Sequence, residues 1–318
     1  MRETILKKLN EIEKKESVRI LLAVESGSRA WGFASPDSDY DVRFIYVRPK
    51  AEYLRLEKVR DVIELPIEGE LDINGWDLDK TLRLLRASNP TLFEWFSSSI
   101  VYRETAFADE FRSVMLKYFS SKRGLSHYLS MAGGNYREYL KGDMVKAKKY
   151  FYVLRPILAC RWILDKGTPP PMLFSELVEA ELDPALLPDV DRLLELKMSA
   201  PEIKTIPKIE SINRYLDSSI EELRSRIVPL PEDTNHGWED LNRLFFSQLR
   251  YKRRSILYYG FLYFLKPGCY SNIRNKGCAR KGKRNDPQTI LRFTQSRISG
   301  SFAVQLYPQD AWSFGMPI

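Results

Sequence analysis

The chain has 318 residues, of which 44% are apolar and 29% are charged, a composition typical of a globular protein with room for two hydrophobic cores. No run of about 18 apolar residues occurs, and the charged N-terminus lacks the apolar stretch of a signal peptide, so we expect a cytoplasmic protein without a membrane partner. Three cysteines without CxxC spacing and only two histidines disfavour a disulfide framework, a zinc site and a histidine base.

The net charge of +8 is concentrated at the C-terminal end of the chain. From Arg250 onward there are thirteen Lys or Arg and two Asp, whereas the preceding part is close to neutral. A basic end can contact nucleic-acid phosphates, and it can equally be a solvated, disordered tail. The composition leaves both interpretations open.

The N-terminal part shows the patterns of a sheet with flanking helices. Charged and aliphatic residues recur at helical spacing at the start, and the segments that follow have the apolar or alternating pattern of strands. The predicted elements are a helix over 1–16, strands over 18–24, 39–47, 60–65 and 71–76, and a helix that begins at Asp77. The carboxylate of Asp77 is suited to cap that last helix.

After a boundary between Val101 and Phe107, helical periodicity replaces strand alternation. The predicted helices cover 109–119, 123–140, 143–165 and 239–265. We therefore predict an α+β fold in three parts. These are a mixed-sheet domain over 1–104, an all-helical domain over 105–265 and the basic tail over 266–318.

Two carboxylates share one face of the second predicted strand. Residues i and i+2 of a strand project from the same side, about 6.5–7 Å apart at their Cα atoms, so Asp39 and Asp41 converge while Tyr40 and Val42 face the other side. Carboxylate oxygens are the ligands that Mg²⁺ prefers. Transfer of a nucleotidyl group from a triphosphate uses two such ions about 3.5–4 Å apart. The pair therefore predicts a magnesium site.

A glycine turn follows the first predicted strand. In Ser26-Gly27-Ser28 the central residue has no Cβ, so backbone N–H groups can approach phosphate oxygens closely. We expect Gly27 and Ser28 to cradle the triphosphate.

These residues together resemble a known signature. Gly27-Ser28, ten intervening residues and then Asp39-Tyr40-Asp41-Val42 are similar to the pattern of DNA polymerase β-like nucleotidyltransferases. The strings GSRAWGFASPDSDYDVRFIYVRP, LDINGWDLDKTLRLLRASNPTLFEW and KKYFYVLRPILACRW resemble the branch that includes the RNA-ligase-associated polymerases of RNA repair. The likeness covers about residues 18–165 well and does not reach the tail.

The resemblance implies a mixed sheet with flanking helices, followed by helices. It also implies transfer of an NMP from an NTP to a hydroxyl with release of pyrophosphate, using two Mg²⁺ ions, which Mn²⁺ can replace. An RNA 3′ end is the acceptor that this branch favours. A small-molecule hydroxyl, a protein hydroxyl, or a non-catalytic nucleotide- or RNA-binding module are the alternatives.

The resemblance further implies a third carboxylate from a neighbouring strand, which binds the catalytic metal and helps to activate the attacking hydroxyl. Asp72 lies inside the fourth predicted strand, whereas Asp77 begins the helix after it. Strand alternation puts them on opposite faces, so both cannot bind the metal unless the strand is bulged near Gly75. We favour Asp72 and keep Asp77 as the alternative.

Several cations are candidates for phosphate contacts. Lys148, Tyr152 and Arg155 recur on one face of a predicted helix, where a cationic surface can hold phosphates and Tyr152 can stack, and Lys149 belongs to the same group. An exposed basic helix face is the plainer interpretation. Arg29 and Arg43 flank the signature and are also expected to bind phosphate, although Arg43 can instead neutralise the carboxylates.

Overall fold

The structure, a computed structural model, describes residues 1–199, 205–231 and 237–249. The predicted basic tail over 266–318, with its expected nucleic-acid contacts, lies outside the described residues. None of the helices in this described part of the chain combines the length and the apolar character needed to span a bilayer.

A five-stranded mixed sheet forms the N-terminal part, which confirms the predicted class of fold. In spatial order the strands are β3 (Val62–Glu64), β4 (Leu71–Asp77), β2 (Tyr40–Val47), β1 (Arg19–Glu25) and β5 (Val101–Glu104). β2 and β4 run parallel, and the other neighbours are antiparallel. Strand β2 begins one residue later than predicted, so Asp39 lies in the loop that precedes it.

The sheet is buried on both faces. On β2, Val42 and Phe44 belong to a core that also contains Ile5 of the first helix, whereas Ile45 belongs to a second core on the opposite face. Side chains alternate along a strand, so Asp41 shares the face of Ile45. It lies where that face becomes accessible to solvent, because its side chain is 28% exposed.

Twelve α-helices occur among the described residues. They are α1 (Arg2–Glu16), α2 (Gly27–Ala30), α3 (Lys50–Tyr53), α4 (Leu78–Arg86), α5 (Pro90–Ser97), α6 (Ala106–Met115), α7 (Ser121–Tyr139), α8 (Ala147–Lys166), α9 (Phe174–Glu181), α10 (Leu187–Ser199), α11 (Glu210–Ile227) and α12 (Glu239–Leu249). The predicted helix over 239–265 is thus described as far as Leu249, and its remainder lies outside the described residues.

Two predicted helices have wrong boundaries. The helix expected over 109–119 is α6, which begins at Ala106 and ends at Met115. The helix expected over 143–165 begins at Ala147, because Met144–Lys146 forms strand β6, which pairs antiparallel with β7 (Thr205–Pro207). This pairing joins segments about sixty residues apart in sequence. Helical periodicity in one segment carries no signal of such a distant partner.

Packing joins residues from both sides of the predicted boundary at residue 104. Phe107 and Phe111 of α6, with Leu241 of α12, share a core with Leu22 of the sheet. In the opposite direction, Phe33 of the N-terminal part stacks on Phe151 of α8, with ring centres 4.7 Å apart. The loop between β1 and β2 is thereby anchored in the core of the helices α7 to α11.

Candidate active site

A glycine turn connects β1 to α2. Gly27 has φ +60°, a left-handed conformation that favours glycine. A Cβ at this position would overlap the carboxylate oxygen Oδ2 of Asp41 and lie 2.9 Å from its Cγ. The backbone N–H of Ser26 also donates to the carbonyl of Asp41 at 2.9 Å. The turn and the start of β2 are therefore in direct contact, and residue 27 has no room for a side chain.

The parallel pairing of β2 and β4 places Asp72 directly opposite Asp41. Nη2 of Arg43 donates to Asp41 Oδ1 at 2.9 Å and to Asp72 Oδ2 at 2.7 Å. Nη1 of the same guanidinium donates to the backbone carbonyl of Asp72 at 3.1 Å. All three side chains remain partly exposed to solvent. The structure thus brings together two predicted carboxylates, with Arg43 as the cation between them.

Asp39 and Arg29 lie at the entrance to β2. Asp39 is exposed, and its backbone carbonyl accepts from Nε of Arg29 at 3.1 Å. Nη2 of Arg29 donates to the carbonyl of Ser38 at 2.6 Å, and its guanidinium lies 3.7 Å from the ring centre of Tyr40. The predicted phosphate ligand Arg29 therefore holds the loop in front of Asp41.

Asp77 lies at the other end of β4. It pairs with Tyr46, five residues along the strand from the Asp41–Asp72 pair, a distance of about 16 Å. The pairing of β2 with β4 shows no register shift at Gly75, so no bulge brings Asp77 back.

The surroundings of Asp77 account for its carboxylate. Its side chain is buried. The carboxylate accepts one hydrogen bond from the backbone N–H of Asp79, in the first turn of α4, at 2.9 Å and another from the Tyr53 hydroxyl at 3.0 Å. Burial raises the pKa of this carboxyl to about 6. A cavity of about 820 Å³ is lined by Tyr53 and Asp77 at that end. Helix capping is thus the observed role of Asp77.

Glu25 is a buried acid beside Asp41 that was not among the predicted site residues. Its side chain is fully buried at the end of β1, where it accepts from the backbone N–H of Asp41 at 2.7 Å and from the hydroxyl of Tyr102. Burial raises the pKa of the Glu25 carboxyl above its usual range. The signal for it was an acidic residue closing an apolar strand directly before the glycine turn.

The predicted cationic face of α8 is divided between the interior and the surface. Arg155 is only 3% exposed, and its Nη1 donates to Glu94 Oε1 at 2.7 Å. The hydroxyl of Tyr128 donates to the same oxygen at 2.8 Å. The expectation that Arg155 is exposed is therefore wrong, because α8 is surrounded by other helices at this point. Glu94 of α5 is thus the ionic partner of Arg155.

Lys148, Lys149 and Tyr152 are half-buried. Nζ of Lys149 lies 3.5 Å from the ring centre of Tyr139 and 4.9 Å from that of Tyr152. The ring of Tyr152 in turn packs edge to face against the ring of Trp31, the residue directly after α2, with ring centres 6.3 Å apart. This part of α8 consequently lies beside the glycine turn.

A buried lysine supports the loop before β2 from the helical side. Nζ of Lys197 in α10 donates to the hydroxyls of Ser35 at 2.8 Å and Ser38 at 3.2 Å. The two hydroxyls are also hydrogen-bonded to each other at 2.8 Å. The sequence offered no pattern that joins residues so far apart. This contact fixes the loop that carries Asp39.

The carboxylates have the donor chemistry that Mg²⁺ requires, because Asp39, Asp41 and Asp72 offer only hard oxygens. In the described residues no group of three His, Cys, Asp or Glu is gathered closely enough to hold a metal ion. Arg43 lies between two of the candidates, and the third, Asp39, is turned to solvent. The residue types therefore suit a divalent ion, whereas the arrangement of their side chains in this structure pairs two of them with Arg43 instead.

Comparison with known proteins identifies the family of the chain. Residues 1–247 match the model of the RNA repair pathway DNA polymerase beta family (RlaP). Over 246 residues the chain is 47% identical to the uncharacterized protein YcgL of Bacillus subtilis (strain 168), covering 77% of this chain and 95% of that protein. A solved nucleotidyltransferase-like protein from Exiguobacterium sibiricum 255-15 is 12% identical, with a TM-score of 0.28, and the match covers 79% of this chain and 81% of that one. The chain belongs to the RNA repair pathway DNA polymerase beta family.

Proposed function

We propose that this protein transfers an NMP from an NTP to the 3′ hydroxyl of RNA and releases pyrophosphate. The hydroxyl oxygen forms a bond to the α-phosphorus, the bond from that phosphorus to the bridging oxygen of the β-phosphate breaks, and the hydroxyl proton passes to a base. Membership of a polymerase β-like family of RNA repair supports this chemistry. The observation that carries it is the Asp41–Asp72 pair beside the Gly27 turn.

Asp39, Asp41 and Asp72 are the residues that would hold Mg²⁺, or Mn²⁺ in its place. When bound, two such ions neutralise the triphosphate and polarise the phosphoryl group that is transferred. Asp72, on the strand next to Asp41, is the proposed acceptor of the hydroxyl proton. Asp77 is not suited to that role because it caps α4 at the far end of the strand.

The remaining residues position these groups. The first N–H groups of a helix have no partner within it, so those of Gly27 and Ser28 are suited to donate hydrogen bonds to phosphate oxygens. Glu25 holds the backbone of Asp41 through its N–H. Arg43 offsets the repulsion between Asp41 and Asp72 before the substrate binds.

We assign contacts to the phosphates of the NTP or the acceptor to Lys148, Lys149 and Tyr152. The ring of Tyr152 contacts Trp31, close to the glycine turn, and Nζ of Lys149 lies near the ring of Tyr152. Arg29 and Arg155, both engaged with other parts of the protein, are assigned a positioning role.

The test is incubation of the full-length protein with labelled NTPs, Mg²⁺ and single-stranded RNA. We expect the RNA to be extended by labelled nucleotides, and Asp41→Asn to lower the rate by at least about a hundredfold, because a metal ligand is lost. Asp109→Asn, at an exposed acid on α6, is the matched control and keeps the full rate. Labelling of a protein or small-molecule hydroxyl without RNA extension refutes the RNA acceptor. Unchanged turnover in Asp41→Asn refutes the site itself.

A further inference from the structure

Four side chains form a row that begins at the glycine turn, and we call it the aromatic row: Trp31, Tyr152, Lys149 and Tyr139. Trp31 meets Tyr152 edge to face at 6.3 Å. Nζ of Lys149 lies between the rings of Tyr152 and Tyr139, at 4.9 and 3.5 Å from their centres. In order, the row consists of the rings of Trp31 and Tyr152, the ammonium group of Lys149 and the ring of Tyr139. It runs along the start of α8 and the end of α7.

The aromatic row is at the surface, whereas the neighbouring aromatic residues are in the core. Each of its four members is half-buried. Phe151, adjacent in sequence to Tyr152, is fully buried and stacks on Phe33. Trp31 and Tyr139 pack against the margin of this core, and the half-buried state of the row leaves part of each ring open to solvent, where a base can stack on it.

Positive charge accumulates along the row. Burial and the adjacent Lys148 lower the pKa of Lys149, and Lys146 acts in the same direction. Glu138 is the acid that opposes these effects on Lys149. A lysine whose charge is disfavoured by its neighbours gains stability from an anion, and phosphate is the anion that accompanies stacked bases.

Trp31 rests on a buried cation with unused donors. The guanidinium of Arg155 lies 4.8 Å from the centre of the Trp31 ring. Within the described residues, Nε and Nη2 of Arg155 and Nε1 of Trp31 are buried without a hydrogen-bond acceptor. Burying a donor without an acceptor is unfavourable, so this end of the row favours a ligand that brings acceptor oxygens.

We propose that the aromatic row binds the unpaired end of a single-stranded RNA, with bases stacked on Trp31, Tyr152 and Tyr139. Lys149 contacts a phosphate of the same strand. Rings interleaved with a cation suit a single strand, whose bases are free to stack, better than a duplex, whose bases are not. The row starts at the turn that adjoins Asp41, which leads the strand's 3′ end to the carboxylates. The proposal rests on the proposed function only for the direction of the strand.

Binding of a labelled single-stranded oligoribonucleotide to the full-length protein, measured by fluorescence anisotropy in EDTA without NTP, tests the proposal. We expect Tyr139→Leu and Tyr152→Leu each to weaken binding at least about fivefold, since stacking on an aromatic ring accounts for that much per base. Tyr139→Phe and Tyr152→Phe keep the ring and the affinity, which separates stacking from folding defects. Lys149→Gln is expected to reduce the salt dependence of the binding affinity by the amount that corresponds to the loss of about one phosphate contact.

Lys141→Gln is the matched control for Lys149. Its Nζ also lies over a tyrosine ring, 4.4 Å from the centre of Tyr136, but on the side of α7 that faces Asp217 of α11. This variant is expected to bind RNA with unchanged affinity and salt dependence. The comparison is made in the full chain, so the contribution of the basic C-terminal end is the same in every variant.

Three outcomes overturn the proposal. One is that the leucine variants bind single-stranded RNA with the same affinity as the unaltered protein. Another is that these variants lose affinity for duplex RNA to the same extent as for single-stranded RNA. The third is binding of an acidic peptide, but not of RNA, that depends on the row. Binding is measured in EDTA without NTP, so it does not require nucleotidyl transfer. Row-dependent RNA binding without any nucleotidyl transfer would therefore leave this inference standing while refuting the proposed function.

Discussion

Gly27 and Asp41 lie so close together that residue 27 has no room for a side chain. A Cβ on Gly27 would overlap Oδ2 of Asp41 and lie 2.9 Å from its Cγ. The proposed phosphate-binding turn and a proposed metal ligand thus share one surface. A substitution that displaces the turn at Gly27 also displaces Asp41, so altering this contact tests the site directly.

Gly27→Ala is expected to lower nucleotidyl transfer by about a hundredfold or more, because displacing a reacting group by about 1 Å has an effect of this size. Gly69→Ala is the matched control. Gly69 also has a left-handed φ, +62°, but a Cβ there meets nothing within 4 Å. In urea denaturation each variant should lose about 1–2 kcal/mol of unfolding free energy through backbone strain, and Gly27→Ala should lose more than Gly69→Ala because its Cβ also overlaps Asp41. Equal activity of the two variants contradicts the role of the Gly27–Asp41 contact.

Arg43→Gln is expected to destabilise the metal-free protein by about 1 kcal/mol, because Asp41 and Asp72 then repel each other without a shared cation. Added Mg²⁺ should restore much of this loss by taking over the charge compensation. Thermal unfolding with and without Mg²⁺ measures the effect, and the rise in melting temperature should be larger in the variant than in the unaltered protein. Equal rises in both proteins would show that Mg²⁺ does not bind between these carboxylates.

Asp72→Asn and Asp77→Asn separate the two candidates for the third carboxylate. We expect Asp72→Asn to reduce turnover by at least about a hundredfold through loss of a metal ligand and proton acceptor. Asp77→Asn should retain turnover, because an asparagine still caps α4 and the residue lies at the far end of β4. Rates of RNA extension at saturating Mg²⁺ measure this. The reverse ranking would assign the third ligand to Asp77.

Asp77 also predicts a pH dependence of stability. Burial raises the pKa of its carboxyl from 3.8 to about 6 in the folded protein, so the folded state holds the proton more tightly than the unfolded state. The associated stability is present below about pH 4 and is lost as the pH rises through 6. This part of the free energy of unfolding amounts to about 2–3 kcal/mol, because one pKa unit corresponds to about 1.4 kcal/mol.

The measurement is urea unfolding of the unaltered protein and of Asp77→Asn between pH 4 and 7. The difference in unfolding free energy should change in favour of the variant as the pH rises, because asparagine does not ionise. A constant difference across this range would mean that Asp77 titrates with an ordinary pKa in the folded protein.

Much of this site could be predicted from local pattern. The strand run before Glu25, the glycine turn and the carboxylate spacing around Asp41 are each short-range features, and the family match confirms the family that they resemble. The start of α8 was predicted too early because Met144–Lys146 pairs with a distant strand. Arg155 was predicted to be exposed, and its burial against Glu94 depends on how the helices pack.

Local sequence patterns were enough to predict the main elements and the residue types of the candidate site: a mixed sheet with helices, a turn that requires Gly27, and acidic side chains beside it. These follow from periodicity and residue type, which are properties of one segment at a time. The parallel pairing of β2 with β4 appears only in the folded chain, and it sets Asp72 rather than Asp77 next to Asp41 with Arg43 between them. Strand register depends on backbone hydrogen bonds between segments far apart in the chain, and no local pattern specifies that choice.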